Sequence, residues 1–282
     1  MRLLSPDTIR RCFIADPGYA ILSADFDQIE LRVIAGLAGE QSLIEAAKRG
    51  ESLHKIGALK IFGEGYTPDQ YRYMKNLNFG WAFGGGAKTL SEQTGVPITE
   101  CVKTIKEYET SFRALTAFKR REQNAILRDA LTSQELKAYY ELRNRMYALR
   151  TDTREGRAAR KGLQSAIDRL MYRKIGYATT PFGRRLIVDA AKAYTVVNYK
   201  VQSTAADLMK QAMLDVMADP ELEPTVLLPI HDELLGQAPI DKAERIAARY
   251  GEVMTREFMG VPITASGKVY GRSWGHGYRK DS

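Results

Sequence analysis

Along Tyr19–Phe26 the chain reads YAILSADF, a short apolar run that follows the Pro17-Gly18 turn signal and ends on an acid. That pattern predicts a buried strand with Asp25 at its end. Ile29, Val33 and Leu37, with Leu31, Ile34 and Ala35 beside them, then recur at helical spacing as far as Gly39. Two more helices follow, one over Ser52–Ile61 closed by Gly63 and Gly65, and one from Pro68 to Phe83 stopped by Gly84-Gly85-Gly86. From Thr99 to Asp168 the chain is charged and almost wholly helix-forming. Tyr177–Val188 has the pattern of a hairpin turned at Pro181-Phe182-Gly183, and Tyr194–Met217 that of another helix. Pro224–Pro239 reads as a second hairpin with His231, Asp232 and Glu233 in its connection, and Asp241–Met259 as a last helix. Few, scattered strands among many helices predict an α+β fold with a small antiparallel sheet.

Composition narrows the partner class. The 282 residues are 44% hydrophobic, enough for a substantial core, and carry a formal charge of +8 with a pI near 9.3, which favours an anionic partner such as nucleic acid. Cys12 and Cys101 lie far apart, so neither a disulfide framework nor a C-x-x-C zinc signature is present. No apolar run reaches the ~18 residues of a membrane span, and the N-terminus has no signal-peptide core; the expected location is cytoplasmic, with no membrane partner.

Three stretches carry candidate chemistry. In PIHDELL, two acids stand inside an apolar run; alone they read as a solvated turn. With Asp25 at the end of another strand they become a carboxylate pair, which repels itself unless a cation lies between, and hard oxygen ligands of this kind suit Mg²⁺. In QYRYMKNLNFGWAFGGG, helical spacing puts Tyr71, Lys75, Phe79 and Phe83 on one stripe. Such a stripe either holds a nucleotide or buries its aromatics in a core. Asn198 and Gln202, one helical turn apart, are placed to read groove edges or to complete a buried polar network.

Taken together and in order, SADFDQIELRV, KNLNFGWAFGG and PIHDELL resemble the first palm motif, the fingers helix and the last palm motif of the family A DNA polymerases. IRRCFIADPGY and NYKVQSTAADLMKQAM are similar to the family too. The resemblance implies a polymerase palm with a small antiparallel sheet plus a largely helical fingers subdomain. Residues 1–51 would be palm, 52–176 fingers with a charged insertion at about 124–168, and 177–282 palm again. It implies template-directed nucleotidyl transfer to a primer 3′-hydroxyl, with primer-template DNA and deoxynucleoside triphosphates as partners and two Mg²⁺ ions, or Mn²⁺ in their place, as cofactors.

Residue by residue, the resemblance makes Asp25, Asp232 and the Phe26 carbonyl metal ligands, with Glu233 close by. Lys75 faces the triphosphate and donates a proton to the leaving group. Gln28, Glu30, His54, Arg72, Phe79, Phe83 and Arg2 complete the nucleotide site, Glu30 as the gate against a ribose 2′-hydroxyl. Asn198, Gln202 and His231 meet DNA, together with Arg184 or Arg185. The chain departs from the family at Tyr71 and Tyr194, where arginines are usual, and at Phe83, where a tyrosine is common. It also starts almost at the first palm motif, which implies a fragment whose thumb, first palm strands and exonuclease domain are absent or supplied by a separate chain. The alternatives are a non-catalytic nucleic-acid-binding remnant and a single-subunit RNA polymerase, the latter disfavoured by Glu30.

Overall fold

The computed structural model describes residues 6–149, 153–222 and 225–278. The chain runs α1 (Pro6–Arg10), β1 (Tyr19–Phe26), α2 (Ile29–Ala38), α3 (Gln41–Lys48) and α4 (Leu53–Phe62). Next come α5 (Pro68–Ala82), α6 (Ala87–Thr94), α7 (Ile98–Ser111), α8 (Arg113–Ala130), α9 (Ser133–Ala148) and α10 (Arg154–Met171). The hairpin β2 (Ile175–Thr179) and β3 (Arg185–Asp189) follows, then α11 (Val196–Ala218), β4 (Val226–Ile230) and β5 (Glu233–Pro239). The chain ends with α12 (Ala243–Met254), β6 (Arg256–Phe258), β7 (Val261–Ile263) and β8 (Ala265–Gly271). Contacts divide it into two units, Met1–Leu53 with Thr204–Ser282, and His54–Ser203.

The first unit is built on a four-stranded antiparallel sheet in the order β4-β5-β1-β8. β1 is central because it is apolar on both faces. Alternate residues Leu22, Ala24 and Phe26 are buried, and so is Ile21, which joins Leu235, Tyr270 and Trp274 in a second cluster. The helical stripe Ala243, Ile246, Ala247, Tyr250, Gly251 and Met254 is the buried side of α12, which packs on β1 and β8. Two glycines permit close approach in this unit: a Cβ on Gly267 would collide with the Ala247 carbonyl oxygen, and one on Gly236 would stand 2.5 Å from the Tyr250 hydroxyl.

The second unit is mostly helical, with the β2–β3 hairpin as its only sheet among the described residues. Its core gathers Trp81, Tyr108, Phe112, Leu115 and Phe118, all nearly inaccessible. α5 starts in a capping box, the Thr67 hydroxyl accepting from Gln70 N–H while Gln70 Oε1 accepts from Thr67 N–H, with Pro68 in the first turn. Lys119 closes the other end, donating to the Trp81 carbonyl at 2.8 Å and lying 4.2 Å from that ring's centre.

Three expectations change. Glu233 belongs to β5, paired with Ile230 and with Asp25, so the connection is the two residues His231-Asp232 alone. The last helix stops at Met254 rather than Met259, because Arg256–Phe258 and Val261–Ile263 pair as a tight hairpin. Its turn, Met259-Gly260, has positive φ at both positions, the geometry of a short hairpin, and Met gives no turn signal to read. Tyr194 lies in a 3-10 turn capped by Asp189, and α11 proper begins at Val196.

Candidate functional site

At one end of the central sheet, β1 delivers Asp25 and the β4–β5 turn delivers Asp232. The Phe26 N–H donates to the Asp232 carbonyl oxygen at 3.0 Å, which fastens the turn to the end of β1. His231, exposed and at φ 56°, takes the left-handed position that opens the turn. Four acids gather at this end, and hydrogen bonding separates their roles. Asp27 is occupied, accepting from Thr264 Oγ1 at 2.9 Å and from Ser266 Oγ at 3.3 Å. Glu233, 9% exposed, accepts from the Tyr270 hydroxyl at 2.9 Å, which itself accepts from Ser23 Oγ at 3.2 Å. Asp25 and Asp232 have no side-chain donor among the described residues.

That isolation has an electrostatic signature. Desolvation, then the charges of Asp232, Glu233 and Asp27, raise Asp25 from 3.8 to about 7, against a lowering main-chain hydrogen bond at Phe26. Asp25 is still open to solvent as a residue, so the charge repulsion is the part a cation would relieve. Desolvation likewise raises Asp232. No group of three or more His, Cys, Asp or Glu side chains among the described residues converges on one point. Two carboxylates are nevertheless the usual protein share for Mg²⁺, which keeps water and substrate phosphates as its other ligands.

In the second unit the α5 stripe lies outside the core. Tyr73, Met74, Leu77, Asn78 and Trp81 form the buried face, while Lys75 is exposed and Tyr71, Phe79 and Phe83 are half-exposed. Lys75 Nζ lies 5.0 Å from the centre of the Tyr71 ring, and Phe79 and Phe83 are 5.9 Å apart. Arg72, also exposed, is ion-paired with Asp69. A cleft of about 600 Å³ runs along Asn76, Phe79, Gly80, Phe83, Gly85 and Thr89. Tyr194 rests on Gly84, which has φ 88° and no room for a Cβ.

His54 joins this stripe at 5.3 Å from Phe79, ring centre to ring centre. It is 4% exposed, and burial followed by the charge of Lys75 lowers it from 6.5 to about 4. A neutral ring follows, and Asn78 Nδ2 donating to Nδ1 at 3.0 Å leaves the proton on Nε2.

The other expected site residues fall in several places. Glu30 is half-buried in the first turn of α2. Gln28 is engaged within the fold, its Oε1 accepting from Leu53 N–H at 3.1 Å where α4 begins. Asn198 is half-buried on α11 with Oδ1 lacking a hydrogen-bond partner, and Gln202 is exposed one turn on. Arg184 is exposed just before β3. Arg2 lies outside the described residues. The internal use of Asp27 and the Ser23–Tyr270–Glu233 chain has no sequence signal, because its members are separated by up to 247 positions.

Residues 2–276 match the family described as DNA polymerase family A. The chain belongs to DNA polymerase family A. A DNA polymerase of Mycobacterium phage D29 is 32% identical over 276 residues, a match covering 97% of this chain and 38% of that relative. The thermostable DNA polymerase I of Thermus thermophilus is 32% identical over 270 residues, covering 90% and 27% respectively. A solved structure of the POL domain of Pol1 from M. smegmatis, in complex with DNA primer-template and dNTP, matches 99% of this chain and 44% of its own with a TM-score of 0.71 at 26% identity. This family A chain thus spans less than half the length of each of these relatives. Among its described residues no helix is long and apolar enough to cross a membrane.

Proposed function

We propose that this chain is the palm-and-fingers part of a template-directed DNA polymerase that joins deoxynucleotides to a primer 3′-hydroxyl. The observation that carries the proposal is the pair Asp25 and Asp232, fastened together by the Phe26 N–H and left without side-chain donors while their neighbours Asp27 and Glu233 are satisfied. Asp25, Asp232 and the Phe26 carbonyl would hold Mg²⁺, which when bound lowers the pKa of a hydroxyl nucleophile and neutralises phosphate charge.

The chain's own side chains do the rest. Glu233, held by Tyr270, fixes the strand from which the turn projects. Lys75, exposed on α5, meets the triphosphate and supplies a proton to the departing pyrophosphate, with neutral His54 offering Nε2–H and Arg72 a second cation. Phe79 and Phe83 give the base a stacking wall, and Glu30 crowds a 2′-hydroxyl. Asn198, Gln202, His231 and Arg184 contact the duplex largely without regard to sequence, as copying any template requires. Residues 1–51 and 177–282 act as palm and residues 52–176 as fingers.

Primer extension with Mg²⁺ and all four deoxynucleotides tests this reading. Extension by the natural chain, lowered at least 10³-fold in Asp232→Ala and more than 10-fold in Lys75→Ala, is the expected result. Absent extension at high protein concentration, with DNA binding intact, would leave a non-catalytic remnant instead.

A further inference from the structure

The helical hairpin α9–α10 takes no part in the site described above, and it concentrates the charge of the chain. Residues 133–174 hold eleven Lys or Arg and five Asp or Glu, a surplus of six positive charges within the +8 of the whole sequence. The base of the hairpin is pinned: Lys174 donates to Glu135 at 2.7 Å, Tyr140 donates to Asn124 on α8 at 3.0 Å, and Asp129 accepts from Tyr177 N–H at 2.8 Å. A capping box at Thr132 starts α9. The element is therefore held to α8 and the β2–β3 hairpin as a formed structure, not as a loose charged tail.

Its surface interleaves rings with cations. Tyr139, Arg143 and Tyr147 follow one another at single-turn spacing on α9. The Arg143 guanidinium lies 5.9 Å from one ring centre and 5.5 Å from the other, and donates to both hydroxyls at 3.3 and 3.4 Å. Tyr147 is 63% exposed. At the base, Tyr172 is 69% exposed beside Arg173, and Arg185 stands 3.6 Å from the centre of the Tyr177 ring. On α10, Arg154, Arg157 and Lys161 fall at i, i+3 and i+7 on exposed positions.

An ordinary solvated helix face has no need of exposed aromatics, each of which leaves apolar area in water. Rings held in place by guanidinium groups, with a row of cations on the adjoining helix, match what a flexible polyanion with free base faces presents: phosphates for the cations and bases for the rings. Duplex DNA offers the phosphates but hides the base faces within its own stack. We propose that the α9–α10 hairpin is a binding surface for single-stranded DNA, gripping bases on Tyr147 and Tyr172 and backbone on Arg154, Arg157 and Lys161. The choice of DNA rests on the polymerase reading; the surface itself does not use Asp25, Asp232 or Lys75.

Fluorescence anisotropy with labelled oligo(dT) and with a blunt duplex of equal length, in the absence of nucleotides, tests the proposal on the whole chain. Tyr147→Ala combined with Tyr172→Ala should weaken oligo(dT) binding about 10-fold or more, with Tyr→Phe at both positions restoring it. Arg154→Gln, Arg157→Gln and Lys161→Gln together should reduce the slope of log affinity against log salt by about two. The changed side chains are exposed, and circular dichroism verifies that the variants remain folded. Unchanged oligo(dT) affinity in both sets of variants overturns the proposal, and so does an equal or larger loss on blunt duplex in the tyrosine variant. Asp232→Ala must bind oligo(dT) as the natural chain does, so failure of primer extension and failure of this surface are separate results.

Discussion

Asp25 and Asp27 stand two positions apart, and yet they have opposite fates. Asp27 accepts two hydroxyl donors and serves the fold, while Asp25 faces Asp232 and Glu233 with its carboxyl raised to about 7. Concentrating ionised acids costs stability, so Asp25→Asn should raise the melting temperature by a few degrees in metal-free buffer near neutral pH while abolishing extension; an unchanged or lower melting temperature would contradict that cost. His54 gives a pH prediction. The unfolded chain takes up a proton near pH 6.5 and the folded chain only near pH 4, so the unfolded state binds more protons in that window and stability is lost as pH falls through it. Urea titrations at pH 7 and pH 4.5 should show a smaller acid loss in His54→Gln than in the natural chain.

Elements are decided by close approaches as much as by apolar pattern. α12 lies close on β8 and β5 because Gly267 and Gly236 carry no Cβ, so Gly267→Ala, aimed at the rigid Ala247 carbonyl, should cost about 3 kcal/mol in chemical denaturation. Gly236→Ala should be costly as well, since its Cβ would meet the Thr225 carbonyl oxygen at 2.7 Å beside the Tyr250 hydroxyl, which is itself tied to the Thr225 hydroxyl at 2.6 Å. At α5, Thr67→Ala removes half of a capping box and should cost about 1 kcal/mol, read in the same way. The acid turn also belongs to this scale: a two-residue connection with His231 at positive φ projects Asp232, while Glu233 turns back into the sheet face.

For the whole molecule, the +8 charge and its concentration on the helical unit predict salt-sensitive DNA binding. Affinity for primer-template should fall by about 10-fold or more between 50 and 200 mM salt, measured by anisotropy; a flat response would show that backbone charge is not what holds the DNA. Family membership rests on the match over residues 2–276.

Much of this protein is written in local pattern. β1 at Tyr19–Phe26, α2 ending at Gly39, α5 between Pro68 and the glycine run, and the β2–β3 hairpin all follow from periodicity and turn residues, because those signals act within a few positions of one another. The same holds for which residues compose the acid pair and the aromatic stripe. Tertiary structure alone decided the rest. It put the stripe of α5 outside the core by burying Tyr73, Leu77 and Trp81, and moved Glu233 from the turn into a strand against Tyr270. It also spent Asp27 on Thr264 and Ser266, leaving Asp25 and Asp232 without side-chain donors. Those outcomes depend on partners 37 positions away for Glu233 and more than two hundred for Asp27, and on which face of a helix meets its neighbours for the stripe, neither of which any local pattern encodes.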